Sequence, residues 1–195
     1  MDTKPKKHRI FIALDLQPEA KEALALIQQK LKKSDIDCRW IKPANIHLTL
    51  NFLRYIDSDK IVQVKKALNS ALSERVKFKA GFEGKIGFFP NEKHARIVWL
   101  DIDEGAEQIK QIQEAICRQL YKIGFKAERK EFVPHITLGR IKSSRNISRL
   151  VNKLNEVKLK NPVEFNIEGV YIYESILRRS GAQYGKIYEC RLKNQ

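Results

Sequence analysis

Little in this sequence punctuates or cross-links the chain. Of 195 residues only 9 are glycine, 6 proline and 3 cysteine. So few turn-formers, with no low-complexity stretch, exclude a collagen-like or disordered chain and leave no linker at which to divide it. Residues 1–195 are therefore expected to form a single domain. The three cysteines, Cys38, Cys117 and Cys190, make neither a disulfide framework nor a zinc knuckle. Cys117 falls in a helical apolar pattern and Cys190 in a strand-like one, where reduced, buried thiols are usual. No apolar run approaches the roughly 20 residues that cross a bilayer. The longest, such as IFIAL (10–14) and IVWL (97–100), have strand length. The basic N-terminus reaches Asp15 too soon for a signal-peptide core, so a cytoplasmic protein with no membrane contact is expected. Also missing are a Gly-x-Ser-x-Gly elbow, a P-loop and a GxGxxG fingerprint. Carboxylates are scattered, with no pair standing out as acid and base.

What the chain has in excess is positive charge. Lys and Arg number 38 against 23 Asp and Glu, a net charge of +15. Basic residues recur in KPKKHR (4–9), KLKK (30–33), RIKSSR (140–145) and RR (178–179). Such a field concentrates polyanions at the surface, with strong salt dependence. It names a class of partner and leaves the reaction open. Hydrophobic content of 43% is enough for one core, or for two small lobes sharing one.

Periodicity alternates between strand and helix. RIFIALD (9–15) alternates as a strand, and 19–33 carries Ala20, Ala23, Leu24, Ile27 and Leu31 at helical spacing. A short strand at 38–41 and a turn at 43–45 lead to HLTLNFL (47–53), again a strand. A helix is predicted over 58–73, strands over 76–83, 85–89 and 96–102, and a helix over 104–123. FVPHITLGRI (132–141) reads as strand, 147–155 as a shorter helix, and 164–174 and 184–192 as closing strands. Each half thus holds a long helix followed by a strand bearing His-x-Thr-Leu. That order suggests two related lobes, with the marked strands facing each other across a shared cleft.

The repeated motif carries the chemistry. Thr49 and Thr137 each follow a histidine by two places, in HLTL (47–50) and HITL (135–138). On a strand, residues two apart point to one face. His47 and Thr49 therefore share a face while Leu48 and Leu50 enter the core, and His135 and Thr137 repeat the arrangement. An imidazole gives or takes a proton near neutral pH. A hydroxyl beside it donates a hydrogen bond to an anionic oxygen. Two such units supply the base, the acid and the donors that in-line displacement at phosphorus requires. No Asp, Glu or Cys accompanies either motif at ligand spacing, so neither a metal nor another cofactor is expected. His8, in the basic N-terminal stretch, and His94, in NEKHAR, read as surface residues without a role.

Two His-x-Thr motifs about ninety residues apart resemble the two-histidine (2H) phosphoesterase superfamily. The finer likeness is to its RNA 2′,3′-cyclic phosphodiesterases, historically called 2′-5′ RNA ligases. RIFIALDL (9–16), NIHLTLNFL (45–53), GFFP (87–90), RIVWLDI (96–102), FVPHITLGRI (132–141) and SGAQYGKIYEC (180–190) occur in the family's order. The resemblance implies a bilobal α+β fold, with antiparallel sheets of two pseudo-symmetric lobes lining a central basic cleft and helices outside. It also implies metal-independent hydrolysis of a terminal 2′,3′-cyclic phosphate to a 2′-phosphate. Carried over, His47 is the proton donor to the leaving 3′ oxygen, His135 is the base that activates water, and Thr49 and Thr137 hold phosphoryl oxygens. Arg140 matches the arginine that follows the second motif. Five places after His135 it would point away on a regular strand, unless Gly139 permits a bulge that turns it back.

Phe11, between Arg9 and Ala13 on the first strand, is placed to stack on a base or to sit in the core. Tyr184, near Gly181 and Gly185, is a second aromatic candidate. At Arg54 the family often has glycine, a departure at the local turn. RNA ends or nucleoside 2′,3′-cyclic phosphates are the expected partners, with the protein acting as a monomer. Ligation by the reverse chemistry would use the same residues, and a non-catalytic nucleotide or RNA binder would keep the same cleft.

Overall fold

A computed structural model describes residues 6–126, 131–154, 157, 159, 161–178 and 181–194. Strand β1 (His8–Asp15) leads into helix α1 (Pro18–Lys32), then β2 (Cys38–Trp40), a 3-10 turn (Pro43–Asn45) and β3 (His47–Ile56). Helix α2 (Ser58–Leu72), strands β4 (Phe78–Phe82), β5 (Ile86–Phe89) and β6 (Ile97–Asp101), helix α3 (Ala106–Lys122) and β7 (His135–Ile141) follow. Helix α4 (Ile147–Leu154) and strands β8 (Val163–Ile167), β9 (Gly169–Arg178) and β10 (Gly181–Arg191) close the chain. Local chemistry sets several of these boundaries. Pro18 at the first turn starts α1, and the Asp57 side chain accepts a 2.8 Å hydrogen bond from the Lys60 N–H to cap α2.

The strands pair antiparallel in two four-stranded sheets, β10-β9-β1-β3 and β2-β7-β6-β5, with β4 and β8 forming a separate pair. One motif strand lies in each large sheet. The halves are interlocked. Strand β2, from the first half, borders β7, while β9 and β10, from the second, join β1. The helices cross over as well. Helix α1 packs on α4, and its Gln28 amide donates to the Ile41 and Leu138 carbonyls at 2.9 and 2.8 Å, behind β7. Helices α2 and α3 pack on each other behind the first sheet, against β10 and β3. One buried apolar cluster consequently runs from Leu14 and Leu48 through Ile109 to Leu138 and Ile172.

Two boundaries differ from the periodic reading. The closing stretch at 164–174 is two strands, because the chain leaves pairing at Glu168 so that β8 can join β4 while β9 joins β1 and β10. The strand expected from 132 begins only at His135. Position 155, the end of the last expected helix, and positions 179 and 180 lie outside the described residues.

Candidate active site

The two motif strands are built alike. From the histidine onward, seven positions of β3 and of β7 run through the same order: half-buried, buried, half-buried, buried, buried, exposed, buried. Two consecutive buried residues break the period of two, and a β-bulge in each strand is the cause. Ala13 pairs with Thr49 but Ile12 with Asn51, which makes Leu50 the extra residue in β3. Trp99 pairs with Thr137 but Val98 with Gly139, which makes Leu138 the extra residue in β7. Each bulge swings the fifth residue after the histidine to the threonine side. Arg140 therefore lines the cleft with His135 and Thr137, and Phe52 does the same beside His47 and Thr49. A Cβ at Gly139 would lie 2.5 Å from Cys38 Sγ and 3.1 Å from the Trp40 ring, so glycine lets β2 close on the bulge.

Both imidazoles are anchored by the same bond. His47 Nδ1 lies 2.7 Å from the Asn45 carbonyl oxygen, and His135 Nδ1 lies 2.7 Å from that of Val133. A carbonyl only accepts, so Nδ1 carries the proton in each ring and Nε2 is left for a substrate. The Asn45 side chain donates to the Ala182 carbonyl at 2.9 Å, which ties the turn before His47 to β10. Aromatic rings hold both histidines. Phe11, Tyr184 and Tyr173 lie 4.8, 5.3 and 6.0 Å from His47; Phe89 and Trp99 lie 4.9 and 6.0 Å from His135. Burial in these cages pushes His47 down from its ordinary 6.5 to about 4, against an upward pull from the Asn45 carbonyl and Asp15. Burial lowers His135 also, opposed by the Val133 carbonyl and Asp101.

The cleft between the motif strands holds about 670 Å³, a size that accommodates a whole small ligand. His47, Thr49, His135, Thr137, Arg140 and Tyr184 all line it, with Arg9 and Arg54 as further cations. Among the described residues that line it there is no Asp or Glu. Hydroxyls and guanidiniums attract phosphate, while the three guanidiniums repel a metal ion. Phe11 also borders the cleft but is only 3% exposed, with its ring against His47, Tyr173, Tyr184 and Phe52. It has no free face for a base; it packs the floor beneath His47. Tyr184 is half-buried and meets the His47 ring edge-on. His8 is not the surface residue expected: it is half-buried and reaches Glu174 through Nδ1 at 2.7 Å, closing β1 onto β9. His94 is exposed, as expected.

Sequence reasoning passed over Phe52, Arg9 and a pair of aspartates. Asp15 stands opposite His47 in the β1–β3 register, and Asp101 stands opposite His135 in the β6–β7 register. Burial opposes ionisation of Asp15, but hydrogen bonds from Lys186 and Lys21 hold its carboxyl below the usual range. The signal was there in RIFIALDL and RIVWLDI, which share Leu-Asp followed by Leu or Ile.

Comparison with known proteins gives the same twofold division. A family model described as LigT-like phosphoesterase matches residues 14–99 and again 100–184. Each match therefore opens on the leucine before one of those aspartates. A protein of Methanothermobacter thermautotrophicus named RNA 2′,3′-cyclic phosphodiesterase is 30% identical over 95% of this chain and 100% of its own length. A protein of the same name from Methanocaldococcus jannaschii is 32% identical over 93% of this chain and 99% of its own. A crystal structure from Thermus thermophilus superposes with a TM-score of 0.77 at 25% identity, covering 96% of this chain and 99% of that one.

Proposed function

This chain belongs to the LigT-like phosphoesterase family, and from that premise we propose that His47 and His135 are the proton-transferring pair with which it hydrolyses RNA 2′,3′-cyclic phosphate ends. The enzyme is an RNA 2′,3′-cyclic phosphodiesterase, as its relatives are named, and the product proposed for it is a 2′-phosphomonoester. One observation carries the assignment of residues. Two imidazoles, each fixed through Nδ1 to the carbonyl two residues before it, enter a single cleft whose described lining carries three arginines and no carboxylate.

In the proposed reaction a water oxygen bonds to phosphorus as the bond from phosphorus to O3′ breaks. His135 Nε2 takes the proton from the water and His47 Nε2 gives one to O3′. Thr49 and Thr137 hydroxyls donate to the non-bridging oxygens, and the Arg140 guanidinium offsets their charge. Burial keeps both rings neutral at pH 7 in the empty cleft, so a donor has to be made. A phosphate anion beside a histidine favours the imidazolium. The substrate thereby charges its own general acid. Turnover leaves His47 neutral and His135 protonated, and exchange with solvent resets them.

No described helix is long and apolar enough to cross a membrane. A cytoplasmic monomer acting on RNA ends is the form proposed for the enzyme, and the +15 charge supports the polyanionic substrate.

Turnover of a nucleoside 2′,3′-cyclic phosphate in excess EDTA, with the product isomer identified, tests the reading. Wild type is expected to yield the 2′-phosphate. His47→Ala and His135→Ala are each expected to lose roughly 10²–10⁴-fold in rate, the range for a removed general acid or base. Full activity in either variant contradicts the assignment.

A further inference from the structure

Past the histidines the cleft continues along β3, lined by groups the hydrolysis does not use. Beyond Thr49 the strand offers Phe52, Arg54 and Tyr55, and β1 adds Arg9 directly opposite Tyr55. Phe52 and Tyr55 are 53% and 57% exposed. Arg54 holds φ at 58°, a left-handed backbone that glycine adopts freely and a residue with a Cβ adopts at a cost. A second bulge, with Leu53 as the extra residue, accompanies that turn. Strained residues persist where the surroundings hold the backbone in place, and Arg54 lines the cleft wall. Arg9 is held too, by a 3.2 Å hydrogen bond from its guanidinium to the buried Ser175 Oγ.

The spacing suits a second nucleotide. Asp15 and Arg9, which stand opposite His47 and Tyr55, are six residues apart on β1, so Tyr55 lies roughly 20 Å along the sheet from the first imidazole. A mononucleotide with its cyclic phosphate between the histidines does not span that distance. Exposed rings interleaved with arginines are what single-stranded RNA needs: stacking faces for unpaired bases and cations for the phosphates between them.

We propose that Phe52, Arg54, Tyr55 and Arg9 form a subsite for the nucleotide on the 5′ side of the cyclic-phosphate terminus, so that the enzyme prefers oligonucleotide ends to mononucleotides. The proposal rests on the hydrolase reading above. In it, Phe52 and Tyr55 stack on the penultimate base, while Arg54 and Arg9 hold the internucleotide phosphate. The charge pattern selects RNA over a protein partner, because a net +15 chain with no carboxylate among the described lining residues favours a polyanion.

The test compares kcat/KM for a trinucleotide ending in a 2′,3′-cyclic phosphate with that for the matching nucleoside 2′,3′-cyclic phosphate. Wild type is expected to favour the trinucleotide by roughly tenfold or more, as one stacked base provides. Tyr55→Ala and Arg54→Gly are each expected to shrink that ratio severalfold, and glycine suits the backbone at position 54, so the second variant keeps its fold. Arg54→Gly is also expected to lower the salt slope for the trinucleotide by about 0.7, the value of one single-strand phosphate contact. Equal turnover of both substrates by wild type overturns the subsite while leaving the hydrolase reading intact. So do variants that slow both substrates by the same factor. Failure of wild type to turn over either substrate is a different result, and it removes the hydrolase reading itself.

Discussion

His47 and His135 share an anchor and differ in their surroundings, and their titration follows from both facts. Burial depresses both imidazoles, His47 to about 4. A reaction that needs one neutral and one charged ring in the free enzyme is then fastest between two lowered pKa values. The kcat/KM profile is expected to be bell-shaped with its maximum below pH 6.5, and the kcat maximum is expected at higher pH because bound phosphate raises the acid. A kcat/KM maximum above pH 7 contradicts this. Stability carries the same sign. The folded state binds fewer protons than the unfolded one below pH 6.5, so stability drains away as pH falls from 6.5 through 4 and is unaffected by this group above 6.5. Between pH 7 and 4.5 wild type is expected to lose roughly 2–3 kcal/mol more than His47→Gln in denaturant titrations. At this scale the shared cleft of the four motif residues was legible because the pattern occurs twice with the same parity. Phe11 was not, since strand period tells which side of a sheet a ring lies on and not which neighbours cover it. Arg54 was half-legible: an arginine where glycine is usual marked the left-handed turn.

At the level of elements, the bulges decide which residues reach the cleft. Alternation alone sends the fifth residue after each histidine to the wrong face. Gly139 hinted at the bulge in β7, but nothing in Leu50-Asn51 marks the one in β3, because a register shift is a property of the pair of strands. The break at Glu168 was hidden for the same reason: β8 ends in order to meet β4, a partner distant in sequence. Gly139→Ala is expected to push β2 off β7 through Cys38, costing about 1–3 kcal/mol and lowering kcat/KM as Arg140 is displaced. Adding Cys38→Ala is expected to recover much of both losses. Unchanged stability in the single variant would show that the close approach is not a constraint.

Across the whole molecule, the crossed helices join the two lobes. Periodicity located the helices and the repeated order suggested lobes, yet which sheet each helix covers depends on contacts such as that of Gln28 with Leu138. With α1 behind the second half's sheet and α3 behind the first's, neither half holds its own core. Denaturation followed by tryptophan fluorescence and by far-ultraviolet circular dichroism is expected to give one coincident transition. Two separated transitions would mean that the lobes fold independently. In the proposed reaction the charge of the whole chain delivers RNA ends to the cleft, and the chemistry depends on two rings contacting one phosphate. The most direct measurement is an NMR titration of histidine-labelled enzyme with a nucleoside 2′-phosphate, following the ring signals of His47 and His135. Both are expected to shift with a single shared dissociation constant, and both pKa values to rise on binding. A response from one ring alone, or two different constants, contradicts the claim that they bracket the same phosphorus.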